Sequence, residues 1–239
     1  MNLLEATNLA FAYPGGHHVF DNINLRVRPA EAVAIVGRSG CGKSTLLRVL
    51  CGLERPTTGR MTMRDREVKA GDVPLMTQHD GLFEWQSVAK NLTLAARIEG
   101  TTPPSEKQVQ QLLREVGLPN DIARSWPAQL SGGMRSRVAF LRILASSAPL
   151  IALDEPFGAL DALTRAEVNR WLRKVAIRRQ LAIIMVTHDL TEAVTTADRV
   201  ICWTHNGTTE HDTAAITEPT QLEATKIVAQ LENQLRHQA

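Results

Sequence analysis

Ala32-Val33-Ala34-Ile35-Val36-Gly37-Arg38-Ser39-Gly40-Cys41-Gly42-Lys43-Ser44-Thr45-Leu46-Leu47 is the stretch whose reading decides the architecture. Its first five residues form a continuous apolar run with β-branched members, as a buried strand does, and from Ser44 onward Leu46, Leu47, Val49 and Leu50 read as a helix. Between the two, Gly37 to Ser44 fits G-x-x-x-x-G-K-[ST] in the strand-to-helix context that gives this pattern meaning. Glycines let successive backbone N–H groups face inward as an anion nest, and the helix adds its positive end. Lys43 then reaches the β and γ phosphates, and Ser44 is placed to ligate magnesium. A glycine-rich turn with an incidental Lys-Ser is the bland alternative, and the flanking strand and helix argue against it. Gly37, Arg38, Ser39, Gly40, Cys41, Gly42, Lys43, Ser44 and Thr45 are therefore the candidate residues for binding ATP with Mg2+.

Outward from this loop, Leu3 to Val36 alternates short apolar runs with turns such as Pro14-Gly15-Gly16, and reads as mostly strand. From about Glu84 to Leu144 the pattern turns helical, punctuated by Pro103-Pro104, Pro119 and Pro127. Strand-helix-strand alternation then resumes with Leu150 to Leu153, a helix around Leu163 to Ile177, and Leu181 to Val186. The first of these strands delivers Asp154-Glu155 at its carboxyl end, where open α/β sheets collect ligands. Two adjacent carboxylates there are costly without a cation. Asp154 is placed to hold magnesium, and Glu155 to polarise the water that attacks the γ-phosphate. Read alone, the pair could be solvated loop acids; beside a phosphate loop it is a hydrolytic centre.

Composition narrows the class. The chain has 239 residues, 44% hydrophobic, enough for a large α/β domain or one with an inserted lobe. A formal net charge of +2 gives no case for nucleic acid. Cys41, Cys51 and Cys202 match neither a zinc site nor a disulfide framework, which suits a reducing compartment. No apolar stretch approaches a membrane span and no leader-like segment opens the chain, so any service to a membrane is expected to run through partners.

Leu130-Ser131-Gly132-Gly133-Met134, shortly before the acidic strand, resembles the signature motif of ABC transporter nucleotide-binding subunits. Physically Ser131 is a good N-cap, and the helix beginning near Met134 points its dipole at an anion; alone the motif reads equally well as a helix-start turn. The resemblance extends in family order from Leu3 to Val200. It implies that Tyr13 stacks on adenine, with Phe11 as competitor, and that Gln78 connects the magnesium site to a helical lobe and contributes to it. It also implies that Asp161, in Phe157-Gly158-Ala159-Leu160-Asp161, is the D-loop acid, and that His188, in Thr187-His188-Asp189, contacts the γ-phosphate. The implied fold is α/β: a P-loop NTPase core, mainly a parallel sheet with an N-terminal antiparallel β subdomain, in residues 1–83 and 146–239. A helical subdomain carrying the signature is inserted at residues 84–145. The implied catalytic set is Glu155, His188, Gln78 and Lys43.

The same resemblance implies an ATPase coupled to transport. Two copies of the subunit sandwich two ATP molecules, Ser131 and Gly133 of one facing the phosphates held by Lys43 of the other. The pair sits on the cytoplasmic face of the membrane, with two transmembrane permease subunits and an extracytoplasmic solute-binding protein. Met134, the run Asp154 to Arg165 and Leu82-Phe83-Glu84-Trp85 look like the nitrate, sulfonate and taurine importer branch. Cys202-Trp203-Thr204-His205-Asn206-Gly207 departs from it, as does Phe140-Leu141-Arg142-Ile143-Leu144. Phe83 and Trp85 are candidates to line a groove for the membrane partner, or alternatively to pack in the core. Arg170, Arg173, Lys174, Arg178 and Arg179 read as a solvated helix face. A soluble ABC ATPase usually carries two nucleotide domains or a long coiled coil, whereas this chain has one phosphate loop and no sustained heptads. A P-loop kinase has no use for the signature, and an exporter subunit shares the importer's pattern.

Overall fold

The computed structural model describes residues 1–98, 100–158, 160–204, 207–212 and 221–237; Ala159, His205 and Asn206 of the motifs above lie outside them. In chain order, Leu4–Ala12 (β1), His18–Val27 (β2) and Ala32–Gly37 (β3) lead to helix Lys43–Leu50 (α1) and strands Thr58–Met63 (β4), Arg66–Glu67 (β5) and Leu75–Met76 (β6). A helical stretch follows: Val88–Leu92 (α2), Leu94–Ile98 (α3), Glu106–Glu115 (α4), two 3-10 turns at Asn120–Arg124 and Pro127–Gln129, and Gly132–Leu144 (α5). The chain continues as Leu150–Asp154 (β7), Ala162–Arg179 (α6), Ala182–Thr187 (β8), Leu190–Thr196 (α7), Arg199–Thr204 (β9), Gly207–Asp212 (β10) and Gln221–His237 (α8).

Two sheets form. One is antiparallel, in the order β2-β1-β4-β5; the other has the order β10-β9-β3-β8-β7-β6 and is parallel except for its β10 edge. Strands β3, β7 and β8 are apolar on both faces, as strands covered on both sides must be. Val33 and Ile35 of β3 and Ile184 and Val186 of β8 join a core with α1 and the antiparallel sheet, including Leu46, Leu50, Leu9 and Phe20. Ala34, Ile183 and Met185 turn the other way, into a core shared with Phe140 and Leu141 of α5 and Leu172 of α6. That second core also takes in Val88, Leu92 and Leu113, so the helical stretch is fastened to the sheet by apolar packing.

Parallel register sets the site. Val36 pairs with Thr187, and Asp154 with Val186, so the carboxyl ends of β3, β7 and β8 emerge side by side. The helices are stopped and started by their own residues: Ser87, Ser131, Asp161 and Asp189 cap α2, α5, α6 and α7, and Ser105 forms a reciprocal capping box with Gln108 at α4. Among the described residues, no helix is long and apolar enough to cross a membrane.

The basic stretch of α6 is not simply a solvated face: Arg173 Nη1 donates to Asp198 Oδ2 at 2.9 Å, and Arg178 and Arg179 both pair with Glu115 of α4, at 3.1 and 3.3 Å. The acids that consume these charges come from other elements, which helical spacing cannot reveal. Core packing is likewise excluded for Trp85, which is 66% exposed.

Candidate active site

The phosphate loop has the backbone its glycines permit. Gly40 and Gly42 adopt left-handed φ of 81° and 103°. At Gly42 a β-carbon would also lie 2.7 Å from Val19 Cγ1, so strain and crowding both exclude a side chain. Helix α1 begins there without a side-chain cap, in contrast to α2, α4, α5, α6 and α7, which leaves its first N–H groups for an anion. Lys43 is buried and its Nζ donates to the carbonyls of Gly37 (2.9 Å) and Arg38 (2.8 Å), across the mouth of the loop.

Ser44 Oγ donates to Asp154 Oδ1 at 3.0 Å, joining the first turn of α1 to the end of β7. Burial lifts the Asp154 carboxyl above its usual pKa, reinforced by the neighbouring charge of Glu155 and opposed by Ser44 and Lys43. Such a carboxylate gains from a nearby cation. Among the described residues there is no group of three or more potential His, Cys, Asp or Glu ligands. A hydroxyl and one carboxylate are nevertheless a hard-oxygen donor set of the size that suits magnesium, whose remaining ligands are ordinarily water and phosphate oxygens.

Glu155 sits one residue beyond the strand with φ of 45°, in the left-handed region where a non-glycine residue is strained. Its N–H still donates to Val186 O at 2.9 Å, so strand pairing holds the residue in that conformation. The carboxylate is thereby aimed between two groups from other elements. His188 Nδ1 lies 3.2 Å from Oε1, and Gln78 Nε2 donates to Oε2 at 3.4 Å. Thus Lys43, Ser44, Gln78, Asp154, Glu155 and His188 converge at the carboxyl end of the sheet's central strands.

Tyr13 and Phe11 separate cleanly. Phe11 is 4% exposed and stacked on Phe20, whereas Tyr13 is 38% exposed, edge-on to Phe11 at 4.9 Å between ring centroids. The Tyr13 hydroxyl lies 3.2 Å from Thr45 Oγ1, which ties the open aromatic face to the phosphate loop.

Ser131, Gly133 and Asp161 do not join this cluster through any hydrogen bond among the described residues. Ser131 Oγ accepts from Met134 N at 3.3 Å, and Asp161 Oδ1 accepts from the N–H groups of Leu163 and Thr164, both at 3.1 Å. Gly132 faces open space, and a β-carbon at Gly133 would meet Leu160 and Thr164 at 3.5 Å.

Three arginines that the motif reading passed over bind these parts together. Arg135, in the first turn of α5, pairs with Asp80 (2.7 Å) and Glu84 (2.6 Å), and Arg142 donates to the carbonyls of Asp80 and Gly81. The segment after Gln78 is thereby clasped to the helix that Ser131 caps. Arg165 Nη1 donates to Asp189 Oδ2 at 2.9 Å and Nη2 to Leu160 O at 2.8 Å, bracing the loop before α6 against the turn that carries His188. Arg142 and Arg165 lie inside stretches already singled out and Arg135 directly follows one, yet the acids that Arg135 and Arg165 grip, Asp80 and Asp189, are 55 and 24 residues away.

The family model described as ABC transporter matches residues 20–158. The chain belongs to the ABC transporter family. It is 42% identical over 198 residues to the aliphatic sulfonates import ATP-binding protein SsuB 1 of Mesorhizobium japonicum, an alignment covering 80% of this chain and 74% of that one. It is 44% identical over 187 residues to the aliphatic sulfonates import ATP-binding protein SsuB of Rhodopseudomonas palustris, covering 78% of this chain and 66% of the relative. Among solved structures, the dimeric post-hydrolysis state of an ATP-binding cassette bound to ADP and Pi superposes with a TM-score of 0.73 at 26% identity, covering 83% of this chain and 93% of that one. The chain is thus an ATP-binding ABC cassette with the α/β P-loop fold, and the chemistry of its family is ATP hydrolysis coupled to transport. Its relatives are import proteins, which sets aside the soluble, exporter and kinase alternatives.

Proposed function

We propose that this ABC cassette hydrolyses ATP to drive uptake of a small organic sulfonate. In this reading two copies work on the cytoplasmic face of the membrane, with two permease subunits and an extracytoplasmic solute-binding protein. The observation that carries the hydrolytic part is the Glu155 carboxylate, held at a strained backbone position between His188 and Gln78 and next to the Ser44–Asp154 pair. The sulfonate comes from the relatives' names alone.

In this assignment Lys43 and the N–H groups around Gly40 and Gly42 bind the β and γ phosphates, and the exposed face of Tyr13 takes the adenine. Ser44 and Asp154 would hold a magnesium ion, with Gln78 beside them; bound there, the ion supplies neutralisation of phosphate charge. Glu155 accepts the proton of the attacking water, and His188 orients that carboxylate and contacts the γ-phosphate. Ser131 and Gly133 serve the second copy's nucleotide, which accounts for their lying outside the cluster within one chain. Residues 84–145 act as the helical subdomain, moving Gln78 and Ser131 together through the Arg135 clasp.

Trp85 fits the permease contact. It projects from a loop braced by the fully buried Asn91, whose Oδ1 accepts from Phe83 N and whose Nδ2 donates to the carbonyls of Phe83, Gln86 and Ser87. A rigidly presented, exposed indole is the kind of anchor that interfaces use.

Glu155→Gln tests the assignment. The variant should bind ATP but hydrolyse it on the order of a hundredfold or more slowly, as expected for loss of a general base. It should also convert from monomer to dimer on adding ATP in sedimentation velocity, and Ser131→Arg in the same background should abolish the dimer. Undiminished turnover in Glu155→Gln would remove Glu155 from the mechanism. Persistence of the dimer in Ser131→Arg would remove Ser131 from the partner's site.

A further inference from the structure

The imidazole of His188 faces Glu155 from a side chain that is 63% exposed, and among the described residues it has no other ion-pair or hydrogen-bond partner. One contact does not fix an exposed ring. Where it stands is set by the backbone on either side, at Thr187 and Asp189. These two residues are tied to each other and to Glu192. Asp189 N donates to Thr187 Oγ1 at 3.0 Å, the Thr187 hydroxyl donates to Glu192 Oε2, and Glu192 N donates to Asp189 Oδ1 at 3.0 Å. The three bonds form a closed circuit, and His188 lies within the turn that it encloses.

In an ordinary capping box the acid at the third helical position bonds the N–H of the cap residue directly. Here the Thr187 hydroxyl stands between Glu192 and the Asp189 N–H, so the acid reaches back past His188. Starting α7 does not require this, since Asp189 already caps it. The carboxylate is also costly, because Glu192 and Thr187 are both buried. Burial lifts the Glu192 pKa and the Asp189 charge adds to this, against the bonds from Thr187 and Asn169 and the charge of Arg165. What the carboxylate does in return is fix the Thr187 hydroxyl. Helix α6 braces both halves of the circuit from residues one turn apart: Arg165 Nη1 donates to Asp189 Oδ2 at 2.9 Å, and Asn169 bonds Glu192. The Glu155 N–H hangs on Val186 O, the residue just before the circuit. A shift of the turn therefore changes the separation of His188 from Glu155 directly.

We propose that Glu192 is a positioning residue for ATP hydrolysis: through the Thr187 hydroxyl it fixes the turn that carries His188, and so holds the imidazole against Glu155 and toward the γ-phosphate. Glu192 itself touches neither nucleotide nor water. The inference rests on the roles assigned above to Glu155 and His188. It adds that their geometry is imposed from α7 and α6, behind the sheet's carboxyl end, rather than by contacts of the imidazole itself.

Steady-state ATPase kinetics of the full chain in a double-mutant cycle test this. Glu192→Ala should lower kcat about thirtyfold with KM for ATP within about twofold of the parent, because the phosphate loop is untouched. Glu192→Gln keeps an oxygen for the Thr187 hydroxyl and should recover kcat to within about threefold of the parent. His188→Ala alone should lower kcat on the order of a hundredfold; with the ring gone, adding Glu192→Ala should cost less than about a further threefold. If Glu192→Ala fails to fold, Thr187→Val, which keeps the shape and deletes the hydroxyl, takes its place in the cycle, and Thr187→Ser is its conservative rescue. Unaltered kcat in Glu192→Ala, a rise in KM in step with the fall in kcat, or losses that multiply in the double variant would each overturn the proposal. Full turnover in His188→Ala would remove His188 from the mechanism and this inference with it. Multiplying losses leave the role of His188 standing, so the two failures are distinguishable.

Discussion

Tyr13 shows what one residue can and cannot disclose. As a lone tyrosine two positions after Phe11 it carries no periodic signal, since strand alternation would put both rings on one face. What separates them is the end of β1 at Ala12 and the turn in which Tyr13 N donates to His17 O, which swings Tyr13 outward and leaves Phe11 in the core. Tyr13→Ala should therefore weaken ATP binding on the order of tenfold, the scale of one base stacked on an aromatic ring. Tyr13→Phe should retain most of the affinity, because in the proposed assignment the ring face and not the hydroxyl meets the adenine. Equilibrium binding of a fluorescent ATP analogue reads both. The phosphate loop, by contrast, was legible at the residue scale because its chemistry is contiguous: Gly37 to Ser44 carry fold and function in eight consecutive positions.

Helix α5 was legible as an element, from its Ser131 cap and apolar spacing, but not for what it grips. Arg135 reaches back 55 residues to Asp80, and only the fold brings the two together. Burial pushes the Asp80 carboxyl upward; the bonds from Arg135 and from Leu82 N outweigh this and hold it below the usual carboxylate range. The sign of the linkage follows. A carboxyl with a depressed folded-state pKa adds stability above its unfolded value, and loses it as pH falls through the folded one. Asp80→Asn should thus lower the melting temperature at pH 7, with the gap to the parent chain narrowing steadily below about pH 4. A gap that stays constant down to pH 2.5 would show that the clasp contributes through packing alone. The short edge strand β6 escaped the sequence reading for a related reason: two residues, Leu75 and Met76, pair with β7 and have too little length to show a period.

For the whole molecule, the α/β class with its mainly parallel sheet followed from the alternation of apolar strands and helices, while the strand order and the exposure of individual aromatics did not. Trp85, readable from sequence as either core or interface, stands in solvent. In Trp85→Ala the ATPase rate of the isolated chain should be unchanged, whereas affinity for the permease should fall about thirtyfold or more, as for an interface anchor. Co-purification with the membrane subunits at matched expression measures it. The basic residues of α6 make the complementary case, since Arg173, Arg178 and Arg179 are spent on Asp198 and Glu115 and were invisible as struts until those partners were placed.

The main sheet also divides the apolar interior into two chambers, one behind α1 and the antiparallel sheet and one behind α5, α6 and the helical stretch. Ile35 and Ile183, on adjacent strands, belong to different chambers. Ile35→Val and Ile183→Val should each cost about 1 kcal/mol, and the double variant should cost their sum to within about 0.5 kcal/mol. A repacking substitution can then rescue damage only on its own side of the sheet. Under mutational drift the chain would accumulate two separate histories of lesion and repair, and a chimaera that exchanges one chamber whole between related cassettes should fold where a random mixture of the two would not.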